Sequence, residues 1–81
     1  MNREEDLLKR IVINPKIMRG KPVVKGTRIT VEQVLKLLAQ DLSPAEILKD
    51  YPHLTKEDIS AVLFYAAKTA GDEEVYPITV T

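Results

Sequence analysis

Three helix starts written in succession constrain this chain more than any other feature. Thr30 stands three residues ahead of Gln33, Ser43 three ahead of Glu46, and Thr55 three ahead of Asp58. In such a capping box the hydroxyl accepts from the amide at the third helical position. The side chain there returns to the cap's own amide, so two of the donors left open at a helix start are satisfied. The third box is an acidic variant with a shorter arm. Each box is flanked by a pair suited to a hydrophobic staple: Ile29 with Val34, Leu42 with Ile47, Leu54 with Ile59. Pro44 sits at a first helical position, where its missing amide is no loss. A cap side chain is worth about 1 kcal/mol. These signals predict helices over 31–40, 44–50 and 56–70. On the third, Ile59, Val62, Leu63, Ala66, Ala67 and Ala70 recur at helical spacing and form its expected core stripe. Pro52 stops the second helix, and Gly71 follows the third as a candidate cap.

The residues ahead of the helices read as short strands and turns. Arg10 to Ile13 is a β-branched run that ends at the turn signal Asn14-Pro15. Pro22 to Ile29 reads as a small hairpin or hairpin-like corner, with Gly26 supplying a positive φ. Pro22 lacks a donor and belongs at a strand start or edge. After Gly71 comes an acidic linker, and Val75 to Thr81 is a candidate edge strand or partner-binding arm. The expected fold is mainly α with short N-terminal strands: a three-helix, helix-turn-helix-like core preceded by a small β-hairpin. One domain spans 1–81, divided into an N-terminal lead (1–9), a basic strand region (10–29), three helices (30–70) and a tail (71–81).

The net charge of zero conceals a strong polarity. Residues 1–6 set one Arg against three acids. Residues 7–31 hold seven bases and no acid. Residues 32–81 hold four Lys against nine acids. Either the basic segment pairs with the acidic helices of the same molecule, or it meets an anionic partner. Lys16, Arg19, Lys21, Lys25 and Arg28 lie on or beside a compact strand-turn unit, where Thr27 offers a hydroxyl. A β-ribbon of this kind contacts phosphates, giving affinity with little sequence choice. These six residues are the candidate nucleic-acid contacts. An Arg just after a tight turn equally suits a helix carboxylate.

The third helix would be the reading head of a helix-turn-helix. It opens on Thr55, Lys56, Glu57 and Asp58, and it carries no Arg, Asn or Gln over 55–70, so strong base readout is not expected from it. Phe64 and Tyr65 fall beside the apolar stripe. They either mark a second buried surface for a partner or close the core under the N-terminal strands. With Val75, Tyr76, Ile78 and Val80 they are the candidate partner-binding residues. A chain of 81 residues without cysteine has no disulfide staple, and a homodimer is the usual remedy.

Enzyme chemistry finds little support. The one histidine, His53, sits in the Pro52-Leu54 turn, and with no cysteine a metal site would be mostly carboxylate. The glycine spacing of a phosphate loop is absent, and the hydroxyls of Thr30, Ser43 and Thr55 are assigned to caps. No catalytic residue, metal or cofactor is expected. No apolar run is long enough to cross a bilayer, and Met1 to Arg10 is of mixed charge, unlike a secretion signal. A cytoplasmic protein is the expectation.

Two strings carry a family resemblance. Ile13-Asn14-Pro15-Lys16-Ile17-Met18-Arg19-Gly20-Lys21-Pro22-Val23-Val24-Lys25-Gly26-Thr27-Arg28-Ile29 is the first. The second is Leu42 to Leu48, followed by Tyr51-Pro52-His53-Leu54-Thr55 and Asp58-Ile59. Together they resemble the signature of the prokaryotic DUF433 family over about residues 11–67. The resemblance implies a helix-turn-helix-like domain preceded by short strands, usually dimeric. It also implies a gene often found beside one for a PIN-like ribonuclease, hence an antitoxin of the VapB kind acting on duplex DNA or on that nuclease. The chain departs from the family's pattern at Asp41 and Arg19, where glycine is common.

Overall fold

The computed structural model of the chain describes residues 2–72. In chain order it comprises helix α1 (Arg3–Leu8), strand β1 (Ile11–Val12), a tight turn at Met18–Gly20, strand β2 (Val23–Val24) and helices α2 (Val31–Ala39), α3 (Pro44–Asp50) and α4 (Lys56–Asp72). The fold is mainly helical with one two-stranded antiparallel sheet, in which Ile11 faces Val24 and Val12 faces Val23. Val75, Tyr76, Ile78 and Val80, and the edge strand expected there, lie outside the described residues.

The three predicted helix starts form as their caps require. Thr30 Oγ1 accepts from Gln33 N–H at 3.0 Å and Ser43 Oγ from Glu46 N–H at 3.2 Å. The Thr55 box, the weaker of the three by composition, is the one that closes in both directions among the described residues. Asp58 N–H donates to Thr55 Oγ1 at 3.2 Å, and Thr55 N–H donates to Asp58 Oδ2 at 2.9 Å. The staple residues build the core. Val34, Ile47, Leu54 and Ile59 are buried in one cluster with Val24, Val31 and Val62, and Ile29 and Leu42 pack against it. Residues that fix each helix's entry angle therefore also supply the apolar interior, which lies where α2, α3 and β2 meet α4.

The corner at Pro22–Ile29 forms as well. Val24 N–H donates to Ile29 O at 2.9 Å, Thr27 N–H to Val24 O at 3.0 Å, and Val23 bridges Thr30. Gly26 holds φ +81° there. At the end of α2, Asp41 N–H donates to Leu38 O and Leu42 N–H to Leu37 O. This is a Schellman cap with Asp41 at the left-handed position, φ +68°. Arg19, the other departure from the family's usual glycine, is also left-handed, at φ +58°. Both are sites where glycine would be free of strain.

Three expectations are corrected. Helix α4 does not end at residue 70 with Gly71 as its cap but runs on through Gly71 to Asp72. The N-terminal lead is not featureless, because Arg3–Leu8 forms a helix. Asn2 Oδ1 caps it by accepting from Glu4 N–H at 2.9 Å, and Glu4, Glu5 and Asp6 occupy its first turn, where the helix dipole favours acids. Six residues are too few to show an apolar period. The stripe on α4 is also displaced. Leu63 is 49% exposed, and Ala67 and Ala70 are exposed, whereas Asp58 and Ala61 are buried and Tyr65 packs on the core. A buried carboxylate turns the inward face of the helix, and a hydrophobic period cannot register that.

Asp58 accepts from Thr55 N–H and from Arg10 Nη1 at 3.1 Å, and its side chain is 10% exposed. Asp58→Ala removes both bonds. It is expected to destabilise the fold by about 2 kcal/mol, combining a cap with a charge-assisted bond. Urea unfolding monitored by circular dichroism should show a lower midpoint at unchanged slope.

Candidate functional site

The basic segment divides into paired and unpaired cations. Arg10 binds Asp58, and Lys9 stands 4.0 Å from Asp6. Lys21 Nζ binds Glu32 at 2.9 Å, and Lys36 approaches the other oxygen of that carboxylate at 3.3 Å. The hydrogen bond from Lys21, then that from Lys36, holds the Glu32 carboxyl below its ordinary value of 4.5. Lys16, Arg19, Lys25 and Arg28 are exposed, and none has an acidic partner among the described residues.

These four side chains come from two turns at opposite ends of the β1–β2 ladder. Lys16 and Arg19 belong to the loop between the strands. Lys25 and Arg28 flank Gly26 in the corner after β2. A ladder two residues long measures only about 7 Å between the ends from which the two basic turns leave. Both turns are hydrogen-bonded. Asn14 Oδ1 accepts from Lys16 N–H at 2.9 Å and Asn14 O from Ile17 N–H at 2.9 Å, which closes the first. In the second, Thr27 Oγ1 donates to Val24 O at 2.8 Å and accepts from Ile29 N–H at 3.0 Å. The Thr27 hydroxyl is thus engaged inside the turn it was expected to leave, and Lys21 is engaged by α2.

The opening of α4 is occupied from within. Arg3 Nη1 binds Glu57 at 3.1 Å, Arg10 binds Asp58, and α1 packs along this helix through buried Leu7. The first turn of α4, where a helix-turn-helix would meet bases, is therefore neutralised and flanked by α1.

A second feature is an apolar groove of about 640 Å³ between α2 and the C-terminal half of α4. Val31, Leu35 and Ala39 line one side, and Tyr65, Ala66 and Ala70 the other. Lys21 and Lys36 stand at its rim. Tyr65 thus belongs both to the core and to the groove wall. Phe64, one residue before it, is half-buried. The exposure of Leu63 and the depth of the groove were not legible as such, because each depends on where α4 projects past its neighbours. Among the described residues no helix is long and apolar enough to cross a membrane.

No curated protein matches the chain. The crystal structure of a DUF433 member protein from Anabaena variabilis is similar to it, with a TM-score of 0.74 and 31% sequence identity over 83% of this chain. The match spans 66% of that protein, just under two thirds of its length. The family described as a protein of unknown function, DUF433, matches residues 11–66, a span that takes in the sheet, both basic turns, the buried Asp58 and the core of α4, and on that match this chain belongs to the DUF433 family.

Proposed function

We propose that this chain is a small DNA-binding protein of the antitoxin kind that grips duplex DNA through the two basic turns of its sheet. One observation carries the reading: Lys16, Arg19, Lys25 and Arg28 stay exposed and unpaired by any described acid, while Lys9, Arg10 and Lys21 each stand against a carboxylate. Phosphate is the ligand that four unpaired cations suit best, and each such contact adds affinity that falls with salt. On this reading α2, α3 and α4 form a helix-turn-helix-like scaffold rather than a reading head. The acids at the start of α4 would repel phosphates, and they already serve Arg3 and Arg10. Binding is then stronger in affinity than in sequence choice.

The apolar groove is the surface we assign to a second copy, with Tyr65 and Ala66 at the contact and Phe64 at its flank. A small core without staples gains stability this way, and pairing would double the number of phosphate contacts per assembly. The antitoxin role adds a PIN-like ribonuclease as partner, and the residues after Gly71 are the assigned arm.

A gel-shift titration on the duplex upstream of its gene tests the DNA reading. Lys25→Glu with Arg28→Glu should weaken binding more than about tenfold, equivalent to ~1.4 kcal/mol, and leave the fold within about 0.5 kcal/mol of its stability, since both sites are exposed. An unchanged titration would contradict the reading. Sedimentation tests the second surface. The protein is expected to sediment as a dimer and Ala66→Arg as a folded monomer, whereas a monomeric parent chain would remove the groove from the account.

A further inference from the structure

The loop between β1 and β2 holds a conformation that its internal contacts do not repay. Met18, Arg19 and Gly20 have φ of +50°, +58° and +79°, three consecutive residues in the left-handed region. L-residues enter that region singly, because Cβ crowds the following carbonyl. Glycine enters freely, yet it stands only at the third position. The bonds that close the turn, Gly20 N–H to Ile17 O at 3.0 Å and Lys21 N–H to Met18 O at 3.1 Å, are all main chain and would survive glycine at either of the other two. The Arg19 side chain adds nothing visible in exchange, whereas that of Met18 is more than half covered. Met18 is 41% exposed, and Arg19 is exposed with no ion pair or hydrogen bond among the described residues. Strain kept where the fold gains nothing from it points to a use outside the chain.

We propose that this left-handed turn is a preformed probe that presents the Arg19 guanidinium to a DNA phosphate, with Met18 as its apolar shoulder. The inference rests on the DNA-binding reading above and adds to it the reason for the strained geometry. A guanidinium offers phosphate two parallel donors, which demands a fixed approach. The Asn14 turn and the closing bonds tie the loop down before any encounter. The ordering cost that weakens flexible loops is therefore largely absent on binding. A loop built for stability alone would have glycine at 19, and a binding loop keeps the arginine.

The experiment pairs thermal melting with fluorescence anisotropy on a labelled duplex of mixed sequence, read between about 50 and 200 mM salt. Arg19→Gly should melt about 4–8 °C higher, the shift expected of ~1 kcal/mol in a domain this size. It should also bind more weakly, with a log–log salt slope shallower by about 0.9. Met18→Gly should bind several-fold more weakly at an unchanged slope, because the charge remains while the fixed geometry is lost. Arg19→Gln should keep the parent melting point and lose affinity. If Arg19→Gly melts no higher, the turn holds no strain at that position and the proposal is overturned. If Arg19→Gly gains stability and binds as the parent does while Lys25→Gln weakens binding, the probe is overturned and the DNA reading survives. If the parent binds no duplex at the lowest salt, the DNA reading fails and takes the probe with it.

Discussion

One carboxylate joins the parts of this small protein. Asp58 is buried at the start of α4, where it closes the helix's cap and receives the guanidinium of Arg10. Arg10 in turn lends its carbonyl to Lys25 N–H at 2.7 Å, extending the β1–β2 ladder to the mouth of the second basic turn. The Asp58–Arg10 pair joins α4 to the strand half, beside the Lys21–Glu32 pair and the packing of Val24 in the shared core. A pair of this kind is costly to break from one side, because the remaining charge loses its partner in a partly dry setting. In a chain with no disulfide and a core of aliphatic residues only slightly larger than the staples themselves, such a link gives direction to packing that apolar contacts alone leave loose.

How far the chain could be read without coordinates varies with the kind of signal. Helix starts were legible because a cap needs particular side chains at fixed offsets: Thr30, Ser43 and Thr55 do in space what their spacing says. Short helix α1 was not, since six residues carry no period and Asn2 is a single cue. The inward face of α4 was misplaced for a related reason. Asp58 counts as polar in any hydrophobic pattern, yet its bonds to Thr55 and Arg10 let it face the interior, and Leu63 is left outside. Among the site residues, the basic turns could be located from Gly26, Asn14 and Pro15. Which cations would remain open depended on Glu32 reaching Lys21 and on Asp58 reaching Arg10, contacts 11 and 48 residues apart in the chain.

The division of charge that follows has a functional side. The acidic helices do take up part of the basic segment, so a net charge of zero is in part an internal balance. It is an incomplete one. Lys16, Arg19, Lys25 and Arg28 remain on the two turns nearest the sheet, while the first turn of α4 is closed by Arg3 and Arg10. In this chain the exposed cations without an acidic partner among the described residues thus include those on the turns at the two ends of the sheet, whereas the acids at the start of α4 are paired.

That contrast is open to direct observation. Backbone amide spectra recorded while duplex DNA is added report which residues meet it. The account predicts that the shifts concentrate in Lys16–Gly20 and Lys25–Arg28, with Lys56, Glu57 and Asp58 undisturbed. Shifts centred on the first turn of α4, with the two basic turns silent, would contradict it.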